Sequence, residues 1–161
     1  MRAPAHIRTA TAADAGTLAM MLARLGDELG EPPATTEATI RTHGFGPGAR
    51  FSCLVAEAAA PMGFALYFPH FSTTRGAPGA YVQDIWTAPE ARGQGLGARL
   101  LAAVAAAARR DWGAAYLALG VHGHNAEAAR LYARLGFAAE EVQPMALTGA
   151  GFTALAGEAM A

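Results

Sequence analysis

Residues 89–101, P-E-A-R-G-Q-G-L-G-A-R-L-L, join a strand-like stretch to a helix-prone one. Ala80 to Thr87 reads as a long strand, and Leu96 to Asp111 as a helix with Leu96, Leu100, Leu101 and Val104 on one face. Between them Gly93, Gly95 and Gly97 take alternate positions beside Arg92. One reading is a flexible strand-to-helix turn. The other is an anion seat: glycines there let the backbone approach a ligand closely, the free N–H groups of a helix start converge on it, and the helix dipole favours negative charge. Arg92 would add a planar cation suited to phosphate oxygens.

The ligand class can be narrowed by what is missing. Gly93-x-Gly95-x-x-Ala98 formally satisfies a dinucleotide fingerprint, but that pattern belongs to the first strand–helix unit and needs an acid at the end of the next strand. This run lies mid-chain, and the next strand, Tyr116 to His122, carries no acid. A nucleoside triphosphate loop needs Gly-Lys-Ser/Thr, and the chain has no lysine at all. Schiff-base lysine chemistry is excluded for the same reason.

The 161 residues, 53% apolar and 16% charged, can bury a core without disulfides or a structural metal, and no linker or repeat divides them. The expectation is one domain over residues 1–161. A net charge of -1 gives no field to recruit nucleic acid or an acidic membrane, and no apolar run suits a membrane span. The single cysteine, Cys53, between Phe51 and Leu54, reads as a buried packing residue, and the N-terminal stretch lacks a secretory apolar core. Together these predict a cytoplasmic protein.

Ile7 to Thr9 reads as a short strand, after which Thr11 and Asp14 open a helix as a capping box with Asp in place of Glu. Leu18, Met21, Leu22 and Leu25 form its core stripe, and Gly30 to Pro33 end the segment. Thr36 to His43 is a second helix. Phe51 to Glu57 and Met62 to Phe68 form an antiparallel hairpin about the turn at Pro61, and Ser72 to Pro78 is a polar loop. Ala115 to Val121 is another strand, Asn125 to Leu135 a helix, and Phe137 to Leu147 the closing strand region. Antiparallel hairpins followed by strand–helix–strand–helix–strand predict an α/β (α+β) fold, with a mixed, mostly antiparallel central sheet and helices on both faces.

The glycine run after a strand ending Ile85-Trp86-Thr87 resembles the acetyl-CoA pyrophosphate signature of the GNAT acetyltransferase superfamily, Arg/Gln-x-x-Gly-x-Gly/Ala. A second match follows downstream. Residues 125–137, N-A-E-A-A-R-L-Y-A-R-L-G-F, resemble that superfamily's helix with its N-terminal Asn and a late Tyr before Gly-Phe. Residues 7–14 (I-R-T-A-T-A-A-D), 43–57 (H-G-F-G-P-G-A-R-F-S-C-L-V-A-E), 63–68 (G-F-A-L-Y-F) and 146–156 (A-L-T-G-A-G-F-T-A-L-A) narrow the likeness to the spermidine/spermine (diamine, thialysine) N-acetyltransferase branch. The resemblance runs nearly end to end.

It implies a GNAT fold in which an amine attacks the thioester of acetyl-CoA directly. Carried over by position, it implies that the backbone of Ile85, Trp86 and Thr87 holds the pantetheine arm and acetyl carbonyl. The amides of Gly93, Gln94, Gly95, Leu96, Gly97 and Ala98 would hold the pyrophosphate, with Arg92 alongside. Asn125 would reach the pantetheine, and Tyr132 would protonate the departing sulfur, as a phenol can at neutral pH. It also implies a small-molecule primary amine as acceptor, a polyamine, a diamine or a lysine-like compound, and a homodimer.

The acceptor side departs from the branch, which usually has Glu-Asp where this chain has Gln83-Asp84. Gln83 carries no negative charge, and strand alternation would put Asp84 on the opposite face of the sheet from residue 83. The expectation is therefore that water, not residue 83, takes the amine's proton. The branch's aromatic–Glu pair after the first helix reads here as Leu29 beside Glu28, and Asp27, Glu28 and Glu31 could form an acidic rim for a cation. His122 and His124 at i, i+2 have no nearby third ligand in sequence, so the pair is read as cleft lining or loop packing, with no metal, and His70 as lining the acceptor channel. Two alternatives stand beside this reading: another amine acceptor such as an amino acid or antibiotic, and a non-catalytic acyl-CoA-binding sensor.

Overall fold

The computed structural model describes residues 4–158, which form two compact units divided between Ala126 and Glu127. In the first, β1 (His6–Thr9), α1 (Ala15–Leu29), α2 (Glu37–Gly44), β2 (Ser52–Glu57), β3 (Pro61–Ser72), β4 (Ala77–Thr87), α3 (Leu96–Trp112) and β5 (Leu117–Leu119) follow in that order. The five strands form one sheet in the order β1-β2-β3-β4-β5. All neighbours are antiparallel except β4 and β5, which are parallel and joined through α3.

The local signals account for the helix starts. The Thr11 amide donates to Asp14 Oδ2 at 2.7 Å, the aspartate half of the expected capping box, just ahead of α1. Thr36 caps α2 by accepting from the Thr39 amide at 3.2 Å. Glycines in the left-handed region, Gly30 (φ 72°) and Gly113 (φ 70°), terminate α1 and α3.

Strand alternation sorts the core into two layers. Leu18, Met21 and Leu22 of α1 and Ile40 of α2 pack with Cys53, Val55, Phe64, Leu66 and Trp86 on one face of the sheet. The intervening residues Leu54, Ala65, Tyr67 and Val82 are buried too, and α3 buries Leu100, Leu101 and Val104. Tyr67 meets Trp112 of α3 at 6.0 Å between ring centroids, which places α3 on the opposite face from α1. Helices on both faces of a mixed sheet is the expected architecture. Cys53 is buried, and burial pushes its thiol up to about 12.

Three expectations need correction. The loop expected over Ser72 to Pro78 shrinks to residues 73–76, because the β3–β4 ladder continues to the pair Ser72–Ala77. Backbone hydrogen bonds carry that end of the hairpin without apolar side chains to mark it. Conversely, the strand expected over Ala115 to Val121 is paired only at Leu117–Leu119. In the second unit, α4 (Ala126–Arg134, its first residue still in the first unit) and α5 (Gly149–Glu158) are helical, whereas residues 137–147, expected as the closing strand region, adopt no helix or strand. A strand needs a ladder partner, and none of the five strands of the sheet pairs with these residues. No described helix is long and apolar enough to cross a membrane.

Candidate active site

Beyond β4 a single 3-10 turn, Pro89–Ala91, leads into the glycine run. Gly93 and Gly95 lie at φ 74° and φ 75°, the left-handed region that β-carbon-bearing residues avoid, and Gly95 is the N-cap of α3. The first helical bond of α3 is Arg99 N to Gly95 O at 3.0 Å, so the amides of Leu96, Gly97 and Ala98 precede it and lack helical acceptors. A Cβ at Gly93 or Gly95 would meet nothing within 4 Å, so their role is conformational rather than steric. Gln94 turns away, donating through Nε2 to Glu90 O at 2.9 Å.

The other half of the site is the end of β4. Its pairing with β5 covers only Ala80–Leu117, Tyr81–Ala118 and Val82–Leu119, so residues 83–87 have no strand partner on that edge. On the β3 side, Leu66 pairs with Asp84 and Tyr67 with Val82, leaving Gln83 as the extra residue of a bulge. An open β4 edge beside a cluster of helix-start amides fits the cosubstrate implied above: an amide-bearing arm can pair with the edge while its phosphates meet the helix start.

The bulge changes the reading of Gln83 and Asp84. The extra residue breaks strict alternation at this point, so the argument from opposite faces does not apply across it. Gln83 is exposed. Asp84 shares the α1-side face with Leu66, its register partner, and stands close enough to Cys53 to raise that thiol further. Asp84 is half-buried, and loss of hydration pushes its carboxyl pKa above the ordinary carboxylate value. Among the described residues no cation or hydrogen-bond donor offsets this, so the carboxyl holds a proton more readily than an exposed aspartate does.

Two of the expected site residues bind each other. Arg92 Nη2 donates to Glu28 Oε1 and Oε2, both at 2.8 Å, while Arg92 Nε and Nη2 reach Thr87 O at 3.1 and 3.0 Å. Glu28 Oε1 also accepts from Trp86 Nε1 at 3.0 Å. The Trp86 ring is buried in the α1-side core, with the Arg24 guanidinium 6.0 Å from its centroid. Of the proposed acidic rim, Glu28 is therefore paired with Arg92, and Glu31 Oε2 lies 3.5 Å from His122 Nε2. Nothing local in the sequence pairs these groups; Glu28 and Arg92 stand 64 positions apart.

The rings of His122 and His124 lie 5.4 Å apart between centroids, tilted by 38°, and among the described residues no group of three or more His, Cys, Asp or Glu is arranged to hold a metal. His70 does not join the site. It pairs with Gly79 near the tip of the β3–β4 hairpin, the opposite end from the Gly63–Thr87 pair that leads to the glycine run, and its Nδ1 is hydrogen-bonded to Tyr116 Oη. Asn125 immediately precedes α4, and its amide donates to His122 O at 2.9 Å.

Within the second unit, Tyr132 is a buried residue of α4. Its ring lies 5.7 Å from that of Phe137, whose amide donates to Tyr132 O at 3.0 Å around Gly136 at φ 94°. Burial raises the phenol pKa above its ordinary value, so the group is a neutral O–H donor at physiological pH.

A splayed β4 edge, a glycine turn and a helix start with free amides define a coenzyme-A-dependent acyl-transfer fold. Residues 20–137 match the acetyltransferase (GNAT) family, and the chain belongs to it. It is an acetyltransferase, and acetyl-CoA is its cosubstrate. A thialysine N-epsilon-acetyltransferase of Bos taurus is 35% identical over 141 residues, covering 81% of this chain and 82% of that protein. Among solved structures, an integron cassette protein from the mobile metagenome of V. cholerae superposes with a TM-score of 0.78 at 21% identity, covering 96% of this chain and 98% of the other. A ribosomal-protein-alanine N-acetyltransferase from Brucella melitensis does so at 0.73 and 19%, over 89% of this chain and 99% of that one. These two share the fold.

Proposed function

We propose that the chain transfers the acetyl group of acetyl-CoA to a primary amine of a small cationic molecule: a polyamine, a diamine or a lysine-like compound such as thialysine. The observation that carries this reading is Asp84, a half-buried carboxyl with no counter-ion among the described residues, at the β4 bulge, where the family places the reacting ends of its substrates. Identity to thialysine acetyltransferases over most of the chain supports the acceptor class.

Acetyl-CoA supplies the activated acetyl thioester. The backbone of Ile85, Trp86 and Thr87 aligns the pantetheine arm with help from Asn125, and the amides of Gly93 to Ala98 seat the pyrophosphate. A protonated amine must lose a proton before it can attack. Asp84 attracts the ammonium and accepts that proton directly or through water, a role Gln83 cannot fill. Burial makes the carboxyl a stronger base than an exposed aspartate, which suits proton removal near neutrality. Glu28 contributes to the cation site. Tyr132 donates its phenolic proton to the departing thiolate.

Residues 1–161 act as one acetyltransferase domain, a reading supported by the family match running across the division between the two units. The protein is further read as a cytoplasmic homodimer. Supporting a second copy, Val142, Met145, Leu147, Phe152 and Leu155 expose large apolar side chains in the second unit. The experiment is a panel of polyamines, diamines, thialysine, lysine, amino acids and aminoglycosides, incubated with protein and acetyl-CoA while released thiol is followed. Turnover concentrated on di- and polycationic amines is expected; turnover confined to aminoglycosides or to neutral amines refutes the acceptor assignment.

A further inference from the structure

Arg92 and Glu28 carry opposite duties in the reading above, the first toward an anion and the second toward a cation, yet each is the other's counter-ion. Arg92 uses Nη2 on both carboxylate oxygens and anchors through Nε to Thr87 O. Glu28 has a fixed second partner in the Trp86 indole N–H, whose ring is locked into the core. Both side chains are about a third exposed or more, at 34% and 40%, so water and incoming charge can reach the pair.

We propose that the Arg92–Glu28 ion pair is an exchangeable latch that couples the two substrates. Phosphate oxygens arriving at the start of α3 displace Glu28 from Arg92, and the released carboxylate is then free for the cationic amine. The proposal rests on the reading of the glycine run as the pyrophosphate seat and of Glu28 as an amine ligand. Both Arg92–Glu28 bonds come from Nη2, so a phosphate engaging Nη2 competes with the carboxylate for the same donor. A part-exposed ion pair is weak enough to be exchanged. The pyrophosphate brings more charge than the carboxylate and gains the Leu96, Gly97 and Ala98 amides besides. The Thr87 carbonyl holds the guanidinium in place whichever anion it meets. Linkage makes the effect reciprocal: donor binding favours amine binding, and the reverse. The expected kinetic order is acetyl-CoA first, amine second.

The test uses CoA, which occupies the pyrophosphate seat without turnover. Calorimetric titration is carried out on the wild type, Glu28→Gln and Arg92→Gln, and the indole N–H signal of Trp86 is followed by NMR, identified against Trp86→Phe. Removing the internal competitor should tighten CoA binding by Glu28→Gln about threefold, the range open to a part-exposed ion pair. The Trp86 signal should move on CoA addition in the wild type, as its carboxylate acceptor loses the Arg92 charge beside it, and shift little in Glu28→Gln. Arg92→Gln should weaken CoA binding. Equal or weaker CoA binding by Glu28→Gln, or a Trp86 signal that stays fixed in the saturated wild type, overturns the exchange and makes the pair a static clamp. CoA binding unchanged in Arg92→Gln overturns the phosphate contact itself and the exchange with it. Should Glu28→Gln fold poorly, Glu28→Asp serves instead, since its shorter arm cannot span the same bonds.

Discussion

Replacing Gly95 with alanine separates what the glycine turn does for stability from what it does for the cosubstrate. Gly95 sits at φ 75°, ψ 9°, and a Cβ there meets nothing within 4 Å. No clash is introduced, so the cost is that of holding an L-residue in the left-handed region, about 1–2 kcal/mol. For a chain of this size that lowers Tm by about 2–8 °C, taking roughly 2–4 °C per kcal/mol. The binding effect should be larger. If alanine draws the turn toward negative φ, the Leu96, Gly97 and Ala98 amides no longer converge. Losing even one hydrogen bond to a charged oxygen, worth about 1.5–3 kcal/mol, weakens CoA binding roughly tenfold to a hundredfold. Gly63→Ala is the control: its Cβ would lie 2.6 Å from the Trp86 carbonyl oxygen on the neighbouring strand, which must move. That variant should unfold at a markedly lower temperature than Gly95→Ala. Gly95→Asn should recover part of the loss, because asparagine tolerates the left-handed region. The measurements are thermal unfolding by circular dichroism without ligand and calorimetric CoA titration at a temperature where every variant is folded. Wild-type CoA affinity in Gly95→Ala would refute the assignment of the left-handed turn to phosphate binding.

Tyr132→Phe keeps the ring and its packing on Phe137 but removes the proton donor; kcat should fall about a hundredfold with CoA affinity unchanged, in line with general acid catalysis. Unchanged turnover of a good acceptor would remove Tyr132 from the chemistry. Asp84→Asn should lower kcat while stabilising the fold at neutral pH. A carboxyl whose folded pKa is raised gives stability that is full below its unfolded value and lost as pH rises through the folded one. The stability advantage of Asp84→Asn should accordingly vanish in acid, and an advantage that grows as pH falls would contradict the assigned direction. Asp14 behaves oppositely. Hydrogen bonds from Arg8, at 2.8 and 2.9 Å, are the main cause holding its carboxyl down, from 3.8 to about 2. Its contribution, about 2 kcal/mol from that shift, is present above pH ~4 and lost as pH falls toward ~2. Urea unfolding across that range should show a loss in the wild type that Asp14→Asn lacks.

Signals confined to a few neighbouring residues were legible in the sequence. The Thr11–Asp14 cap, the Leu18–Met21–Leu22 stripe, the Leu100–Val104 face of α3 and the glycine run each express a local rule of backbone conformation or helical period. The hairpins and the crossover through α3 follow from the order of those elements, and with them the family fold. Features made by pairing between distant segments were not legible. The bulge at Gln83 exists only relative to β3, and it removes the alternation by which Asp84 was set apart from residue 83. Likewise, residues 137–147 read as a last strand from their place in the element order, yet no strand of the sheet pairs with them.

By itself, then, the sequence determined the glycine turn and helix start proposed to seat the pyrophosphate, because these are consecutive residues whose backbone conformation their own side chains dictate. Tertiary structure decided the electrostatic surroundings of the residues proposed for the acceptor side. Whether Glu28 is free or bound to Arg92, and whether Asp84 keeps its hydration, depends on which groups the sheet and α1 bring together across 64 positions of chain. Electrostatic partners are chosen by distance in space, which residue order constrains only through the completed fold.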